Sequence, residues 1–399
     1  MRGSRCYAER YLEALSRFVA VLSLLLPAAA LAQPASDADL YTRACAACHG
    51  DDGRGRPQRE VGFETPLPDF TDCEFASREP DPDWYAVIHE GGPVRAFDRM
   101  MPAFGAKLGE AEIFSILRHV RTFCVNDAWP RGEFNLPRPL FTEKAFPEDE
   151  IVVTVLADTD GGGGTETEFL YEKRFGPRGM IEVAVPVEHG DAGSGFDLGD
   201  LALGYKHTVH HDLRRGSIFS LGAEAVLVRT EGDDGSDDRV TVFEPYAAYG
   251  HLLPGDAFLQ FQALGEIAVD GDAGDKAELR MTIGRTWTEG EFGRAWTPML
   301  EILAERGLAS GASVEVDLAP QVQVSLNTRQ HILLNAGVRF PLDDDEGDED
   351  DEGDEDDEGD EDDEGDEDDE GDEGDEDDEG DEDDDDEDDD DEDDDEDDD

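Results

Sequence analysis

Apolar and polar residues alternate with a period of two along much of the chain between residues 151 and 342. Successive side chains of a β-strand point to opposite faces of a sheet, so this alternation predicts strands with one apolar and one polar face. One face of the segment 314–326, for example, consists of Val314, Val316, Leu318, Val322, Val324 and Leu326. Similar segments are separated by Gly- and Asp-rich turns. The pattern predicts an all-β domain over residues 151–342.

The alternation is compatible with an outer-membrane barrel and with a soluble β-sandwich. We predict about ten strands, which lies within the size range of small outer-membrane barrels. The polar faces carry Glu, Gln and Arg residues that suit a wet interior, and girdles at the membrane interfaces could be formed by Tyr205, Tyr246, Tyr249, Trp287 and Trp296. These features favour the barrel, whereas the mixed faces of residues 240–252 would suit the sandwich.

The period is that of a helix in the first part of the chain. Residues 108–123 have acidic residues early and basic residues late, as the helix dipole favours, and an apolar face made of Ile113, Ile116, Leu117 and Val120. Ser36 is a suitable N-cap for an earlier helix from Asp37 to Ala44. We predict a small all-α domain over residues 33–125. The stretch 126–150 is rich in proline and lacks periodicity, which predicts an extended linker.

Residues 1–32 have the organisation of a secretory signal peptide. Four arginines precede an apolar stretch over residues 18–26, and Ala30-Leu31-Ala32 supplies a small-residue cleavage site. An uncleaved membrane anchor is the alternative, although the apolar stretch is shorter than a bilayer requires. We expect export to the periplasm, an oxidising compartment in which cysteines can be joined. Cys6 leaves with the signal peptide, and four cysteines remain.

Acidic residues dominate positions 343–399. These positions hold 50 of the 104 acidic residues and seven glycines, and they contain no apolar residue. We predict a disordered tail that either stays solvated without a specific partner or attracts basic proteins or divalent cations. The rest of the chain carries 54 acidic against 32 basic residues, and the lack of a basic patch argues against nucleic acid as a partner.

The most specific chemical signal is Cys45-Ala46-Ala47-Cys48-His49. In such a motif the two thiols add to the vinyl groups of a haem, and the histidine becomes the proximal ligand of the iron. A redox dithiol would be expected within a βαβ context, and a zinc site would need a second ligand pair. Neither accompanies the motif. We therefore predict one covalent haem c on Cys45, Cys48 and His49.

The sixth ligand of the haem iron should come from a downstream loop. A thioether raises the potential for electron transfer, and Met101, directly before Pro102, is the candidate, with the adjacent Met100 as an alternative. His89 and His119 are rival ligands, but His119 falls within the predicted last helix. The expected axial ligands of the haem iron are therefore His49 and Met101.

With these residues assigned, positions 37–124 resemble a class I c-type cytochrome. The resemblance rests on the order of the first helix, the Cys45–Gly50 motif, the Met101-Pro102-Ala103-Phe104 loop and the last helix with EIFSILRHV. It implies an electron carrier rather than an enzyme. In that family an aromatic residue of the last helix meets a small residue of the first, and here His119 takes the aromatic position.

The β-rich part resembles, more loosely, outer-membrane barrels of Gram-negative bacteria, especially transporter-like ones. The segment ILLNAGVRFPL is similar to their last strand, with Phe340 as its terminal aromatic residue. The chain departs from that pattern because 59 residues follow Phe340. The resemblance implies attachment to the outer membrane.

Cys73 and Cys124 are the cysteines left outside the haem motif. In an oxidising compartment such a pair most simply forms a disulfide, and a reactive thiol is the alternative.

Together these features predict electron transfer by a periplasmic haem domain that is tethered to an outer-membrane barrel and that exchanges electrons with periplasmic donor and acceptor proteins. Two alternatives remain open. The barrel could be a porin or transporter with the cytochrome as a redox-responsive accessory domain, or the chain could be the electron-accepting subunit of a periplasmic dehydrogenase.

Overall fold

A computed structural model of the chain describes residues 35–63, 65–158, 164–189, 196–231, 237–269 and 274–342. The chain divides into two compact units, residues 1–345 and 346–399. The second unit, the predicted acidic tail over residues 343–399 and the predicted signal peptide over residues 1–32 all lie outside the described residues.

Helices come first along the described chain. They are α1 Asp37–Ala44, α2 Ala46–His49, α3 Gln58–Val61, α4 Cys73–Arg78, α5 Asp81–Glu90 and α6 Glu110–Arg121, with 3₁₀-helices at Gly92–Arg95 and Gly132–Phe134. Ser36 caps α1 as predicted, because its hydroxyl accepts from the N–H of Asp39 and its own N–H donates to the Asp39 carboxylate. Among the described residues, no helix is long and apolar enough to cross a membrane.

The core of the helical domain lies between α1 and α6. Leu40 and Tyr41 of α1 are buried against the predicted apolar face of α6, which consists of Ile113, Ile116, Leu117 and Val120. Full burial of one such side chain stabilises the fold by about 1.5–3 kcal/mol. The spacing of these residues in the sequence therefore predicts correctly which face of α6 is buried.

From residue 149 onwards the described chain forms one antiparallel sheet. Its strands are β1 Asp149–Ala157, β2 Thr165–Phe175, β3 Gly179–His189, β4 Phe196–Leu198, β5 Leu201–Asp212, β6 Ser217–Glu231, β7 Asp237–Leu253, β8 Ala257–Ala268, β9 Lys276–Arg285, β10 Trp287–Thr288, β11 Ala295–Gly307, β12 Val314–Ser325, β13 Leu333–Gly337 and β14 Phe340–Pro341. Ten strands have nine residues or more, in agreement with the predicted number of about ten.

Hydrogen-bonded neighbours in the sheet follow the order β1-β2-β3-β5-β6-β7-β8-β9-β11-β12-β13, with the short β4, β10 and β14 paired beside it. The strand pairings of the described residues begin at β1 and end at β13, and none of them joins those two strands. Consecutive long strands are therefore neighbours in the sheet, as in a meander.

The two faces of the sheet differ in polarity. One face, which we call the inner face, contacts residues 132–148, and its buried side chains include Glu172, Glu182, Lys206, Gln260, Thr282 and Glu301. On the outer face, residues of the opposite parity are exposed and apolar, among them Val153, Leu203, Leu221, Phe243, Leu279 and Leu300. An antiparallel sheet in water usually buries its apolar face, so the arrangement here is the reverse.

Residues 132–148, which we call the inner segment, run along the inner face. The predicted linker over residues 126–150 is therefore not a tether exposed to solvent, although it lacks regular structure apart from the 3₁₀-helix. Phe134, Leu136, Thr142, Lys144 and Phe146 are all buried. The prolines prevent a long helix or strand, but the aromatic and charged side chains between them are buried by strands distant in sequence. The inner segment belongs to the core of the β-rich domain.

The aromatic residues predicted for membrane girdles divide between the two faces. Tyr205, Trp287 and Trp296 are exposed on the outer face. Tyr246 is buried on the inner face, where its hydroxyl donates to Glu182 at 3.0 Å. The prediction is wrong for Tyr246 because the parity of β7 turns it inward.

The helical domain lies against one end of the sheet. Arg95 donates from Nη1 to the carbonyl of Phe292 at 3.0 Å, and Phe292 lies in the connection between β10 and β11. His331, in the connection between β12 and β13, has Nε2 3.2 Å from the Glu79 carboxylate. The contacts thus join the helical domain to turns of the sheet rather than to either face.

The pair of His331 and Glu79 should make this attachment depend on pH. The hydrogen bond to Glu79 raises the pKa of His331 above its usual value. The stabilisation is therefore complete below the ordinary histidine pKa of about 6.5 and is lost as pH rises through the raised value. Both side chains are partly exposed, so the effect is small.

Hydrogen–deuterium exchange measures this effect at the amides around Glu79. Between about pH 6 and pH 8, their protection, corrected for the intrinsic exchange rate, should fall in the unaltered protein. It should depend less on pH in His331→Gln, which cannot titrate in this range. Equal pH dependence in the two proteins would contradict the prediction.

Candidate haem site

The Cys45–His49 motif forms a single helical turn. Cys45 immediately precedes α2, and the N–H groups of Cys48 and His49 both donate to its carbonyl, at 3.1 and 2.9 Å. Residues at positions i, i+3 and i+4 of such a turn lie on one side of it. The turn therefore presents both thiols and the imidazole together. Neither Cys45 nor Cys48 forms a disulfide within the described part of the chain.

The backbone that follows the motif is fixed by Gly50 and Tyr41. Gly50 ends the turn at φ +76°, in a region that side chains rarely adopt. Its carbonyl accepts a hydrogen bond of 2.7 Å from the hydroxyl of Tyr41, which is fully buried on α1. The N–H of Gly55 returns to the carbonyl of His49 at 2.9 Å. The loop cannot move away from the motif without breaking these hydrogen bonds.

The imidazole of His49 is in a state that suits metal ligation. Its ring stacks on Phe70 with the centroids 4.9 Å apart. Burial lowers the pKa of His49 to about 4, so the ring is neutral at neutral pH and keeps a lone pair for a metal. Nδ1 is buried and has no hydrogen-bond partner among the described residues. A buried polar atom of this kind points to a group that the protein is built to hold.

The thiol of Cys45 does not suit the alternative of a redox dithiol. Burial, and to a lesser degree the neighbouring Cys48, raise the pKa of Cys45 to about 12. Thiol–disulfide exchange needs a thiolate, which is why redox dithiols have lowered pKa values. Cys45 stays protonated at neutral pH, and this favours a structural attachment over redox exchange.

Met101 and Met100 have different surroundings although they are adjacent. Met101 packs against the apolar cluster that contains Cys45 and Phe70, whereas Met100 is 54% exposed. The carbonyl of Met101 accepts from the N–H of Gly92 at 3.1 Å, which fastens the loop beyond the end of α5. Met101 is therefore the methionine that shares a cluster with the Cys45–His49 motif.

The two rival histidines have other contacts. His89 has Nδ1 2.8 Å from the carboxylate of Glu90, and its ring lies 5.6 Å from that of Tyr85. The ring of His119 lies 5.0 Å from that of Tyr41, at the crossing of α6 with α1. His119 thus occupies the crossing where the resemblance places an aromatic side chain, and its neighbour on α1 is itself aromatic.

The donor groups fit a covalent haem. Two thiols without a disulfide, a neutral imidazole and a thioether border one apolar cluster. A c-type haem needs two thiols for its thioether bonds, and nitrogen and sulfur axial ligands are those of electron-transfer cytochromes. Apolar surroundings of this kind would limit the access of water to a bound haem and so tune its reduction potential.

A disulfide joins Cys73, the first residue of α4, to Cys124, just after α6. Beside it, Arg121 of α6 donates to the carbonyl of Glu79 at 2.9 Å and lies 2.8 Å from the Asp81 carboxylate of α5. The disulfide and Arg121 together hold α4, α5 and α6. The bonded cysteines are the pair outside the haem motif.

Three residues that support this site are not predicted as site residues by the sequence analysis. They are Tyr41, Phe70 and Arg121. Tyr41 lies in a helix just before the motif, and a tyrosine on the apolar face of a helix needs a partner for its hydroxyl, so this residue could have been noticed. Phe70 and Arg121 act across contacts between distant parts of the chain, which no local pattern reveals.

Comparison with known families of proteins gives a match to the helical domain. The model of the family described as cytochrome C oxidase, cbb3-type, subunit III matches residues 32–120. A search of curated proteins and a search of solved structures each found no match. The matched residues include the motif and Met101, and the match agrees with the resemblance to c-type cytochromes.

Substitution of the two methionines should separate their roles. Met101→Ala should remove the sixth ligand and lower the reduction potential, because thioether ligation raises it. Met100→Ala is the matched control and should leave both the coordination and the potential unchanged. Visible spectra and potentiometric titration measure the two properties. A shift in Met100→Ala with none in Met101→Ala would reverse the assignment.

Proposed function

Because residues 32–120 are a c-type cytochrome domain, we propose that the protein transfers electrons through one covalently bound haem and that its sheet holds this domain at the outer membrane. One observation carries the proposal. Two thiols without a disulfide and a neutral, buried imidazole share a helical turn, while the other two cysteines of the domain are joined.

The residues of the site have distinct roles in this proposal. Cys45 and Cys48 hold the haem through thioether bonds, and His49 and Met101 are its axial ligands. The haem supplies a one-electron couple when it is bound. The stacked ring of Phe70 orients the imidazole, and the apolar cluster excludes water. Electron transfer of this kind needs no nucleophile and no general acid or base, so we propose an electron carrier rather than an enzyme.

The cysteine chemistry supports the proposed export to the periplasm. A disulfide such as Cys73–Cys124 persists in oxidising compartments, and the predicted signal peptide over residues 1–32 supplies the route. The partners we propose are periplasmic proteins that donate electrons to the haem or accept them from it.

The polarity of the sheet supports its placement in a bilayer. Leu203 of β5 is 61% exposed on the outer face, while Lys206 of the same strand is fully buried on the inner face. Such apolar exposure repeated over many strands would be unfavourable in water. In a bilayer the same surface contacts lipid, and every strand must then be paired, which requires the sheet to close as a barrel.

The turns at the end of the sheet that carries the helical domain indicate the orientation of the protein across the outer membrane. The short connections at residues 176–178, 213–216 and 254–256 lie at this end. Arg178, in the first of them, donates to the carbonyl of Ala128 at 3.2 Å. Short turns of outer-membrane barrels face the periplasm. We therefore propose that the haem domain lies on the periplasmic side.

Covalent attachment of the haem should survive denaturation. On a denaturing gel stained for haem, the unaltered chain should retain the stain, and the Cys45→Ala, Cys48→Ala double variant should lose it. The Cys73→Ala, Cys124→Ala double variant is the control. It should keep the haem while losing about 2–5 kcal/mol of stability. Loss of the stain from the control alone would contradict the assignment.

Substitution of an outer-face residue by arginine should show whether that face of the sheet contacts lipid or water. Leu203→Arg should cost up to about 2–4 kcal/mol and reduce assembly in the outer membrane if Leu203 faces lipid. If the sheet were soluble, an exposed residue would tolerate the change. Leu308→Arg is the matched control, because Leu308 is also 61% exposed but lies beyond β11. The readout is the folded fraction in outer membranes, and equal fractions for the two variants would contradict the membrane placement.

A further inference from the structure

Arg138 of the inner segment connects the first strands of the sheet with the last. Its guanidinium pairs with Glu172 of β2 and lies 3.4 Å from Glu150 of β1. Its carbonyl accepts from Gln323 of β12 at 3.2 Å and from Asn335 of β13 at 3.0 Å. These strands lie at opposite ends of the hydrogen-bonded order. One residue can reach both ends because the sheet curves around the inner segment.

Glu301 of β11 binds the backbone of the inner segment. Its carboxylate is fully buried and accepts from the N–H groups of Leu140 and Thr142, at 2.7 and 2.8 Å, and from the Thr142 hydroxyl at 2.7 Å. Neighbouring N–H groups that converge on an anion stabilise its charge. The inner segment supplies most of the donors to this carboxylate, and Gln321 of β12 supplies the other. Removal of one partner of such a buried charge is strongly unfavourable.

Lys206 of β5 is a second buried charge that depends on the inner segment. Its ammonium pairs with Glu143 and donates to the carbonyl of Lys144 at 2.7 Å. The N–H of Glu143 donates in turn to Gln262 of β8 at 2.9 Å. Strands from the middle of the sheet therefore hold the segment as well as those at its ends.

Apolar contacts occupy the space beside these charges. Phe134 and Phe146 pack with Ile218 of β6, and Leu136 packs with Phe258 of β8 and Met299 of β11. Ile218 and Phe258 lie next to the turns at the end of the sheet that carries the helical domain. Close-packed side chains at this end leave little room for water.

We propose that the inner segment is a resident plug, which seals the interior of the β-rich domain and makes that domain an anchor for the haem rather than a channel. The proposal rests on the proposed membrane placement, with the sheet closed as a barrel. A plugged interior argues against the alternative in which the barrel is a porin or transporter. Because the plug continues directly from the helical domain into β1, it also holds the haem domain against the end of the barrel.

Conductance of the full-length, haem-loaded protein in planar lipid bilayers tests the plug. The unaltered protein should insert without stepwise increases in current, which we call channel steps. Glu301→Ala removes the acceptor of the N–H groups of Leu140 and Thr142, and it should produce steps. Glu305→Ala is the matched control on the same strand, because Glu305 pairs with Lys276 of β9 at 2.6 Å. This control should stay silent.

An engineered disulfide between the inner segment and β9, which we call the lock, tests whether the channel steps arise from displacement of the inner segment. The hydroxyl oxygens of Thr142 and Thr282 are 2.8 Å apart, so Thr142→Cys with Thr282→Cys places two thiols within bonding reach. In the Glu301→Ala background, oxidation of this pair should abolish the steps and reduction should restore them. Glu301→Ala alone should conduct under both conditions.

Flotation of the protein with liposomes is measured first and separates the two proposals. A protein that does not float overturns the membrane placement and the plug with it. A floating, unaltered protein that shows channel steps overturns the plug alone. A folded Glu301→Ala without steps does not overturn it, because Arg138, Lys206 and the apolar contacts also hold the segment. In that case, or if Glu301→Ala does not insert, the lock in the otherwise unaltered chain decides. A disulfide between the two introduced thiols supports the plug, and free thiols overturn it.

Discussion

The contact of Glu301 with the backbone of residues 140–142 illustrates the constraint on which the β-rich domain depends. Its strands turn carboxylates, amides and an ammonium inward, and such groups are costly when they are buried without partners. The inner segment supplies those partners through its N–H groups, its carbonyls and Arg138. Buried ion pairs add little net stability, but removal of one partner is expensive. They therefore fix the position of the segment more than they strengthen the fold.

The haem domain depends on a different kind of interaction. Its Cys45–His49 motif is built by a local helical turn, and Met101, one of the two proposed axial ligands, packs against an apolar cluster that includes the interface between α1 and α6. The connection to the sheet is made by contacts at its turns, such as Arg95 with Phe292, and by the covalent continuation into the inner segment. Fixed in this way, the proposed electron carrier would present the same surface to every partner.

The predictable parts of this protein are those whose signal is local. The N-cap at Ser36 follows from its residue type just before the helical pattern, and the apolar face of α6 and about ten long strands follow from the spacing of apolar residues. The inner segment could not be predicted in this way, because Phe134, Leu136 and Phe146 are buried by strands that lie far away in the sequence. The girdle prediction for Tyr246 is wrong because both faces of β7 are mixed around it, so the alternation does not decide which way its side chain points. Charged residues such as Arg138 within a proline-rich stretch were the available clue, since a solvent-exposed linker gives them no specific partner.

Reduction of the full-length protein in sealed proteoliposomes tests the central claim most directly, namely that a haem domain sits on one side of a plugged membrane anchor. A reductant that cannot cross the bilayer is added outside, and the haem spectrum is followed before and after the addition of detergent. The account predicts that only the molecules with the haem domain outside are reduced at first, and that the remainder follow when the detergent opens the vesicles. Complete reduction before the detergent in vesicles of mixed orientation, or no reduction after it, would contradict the account.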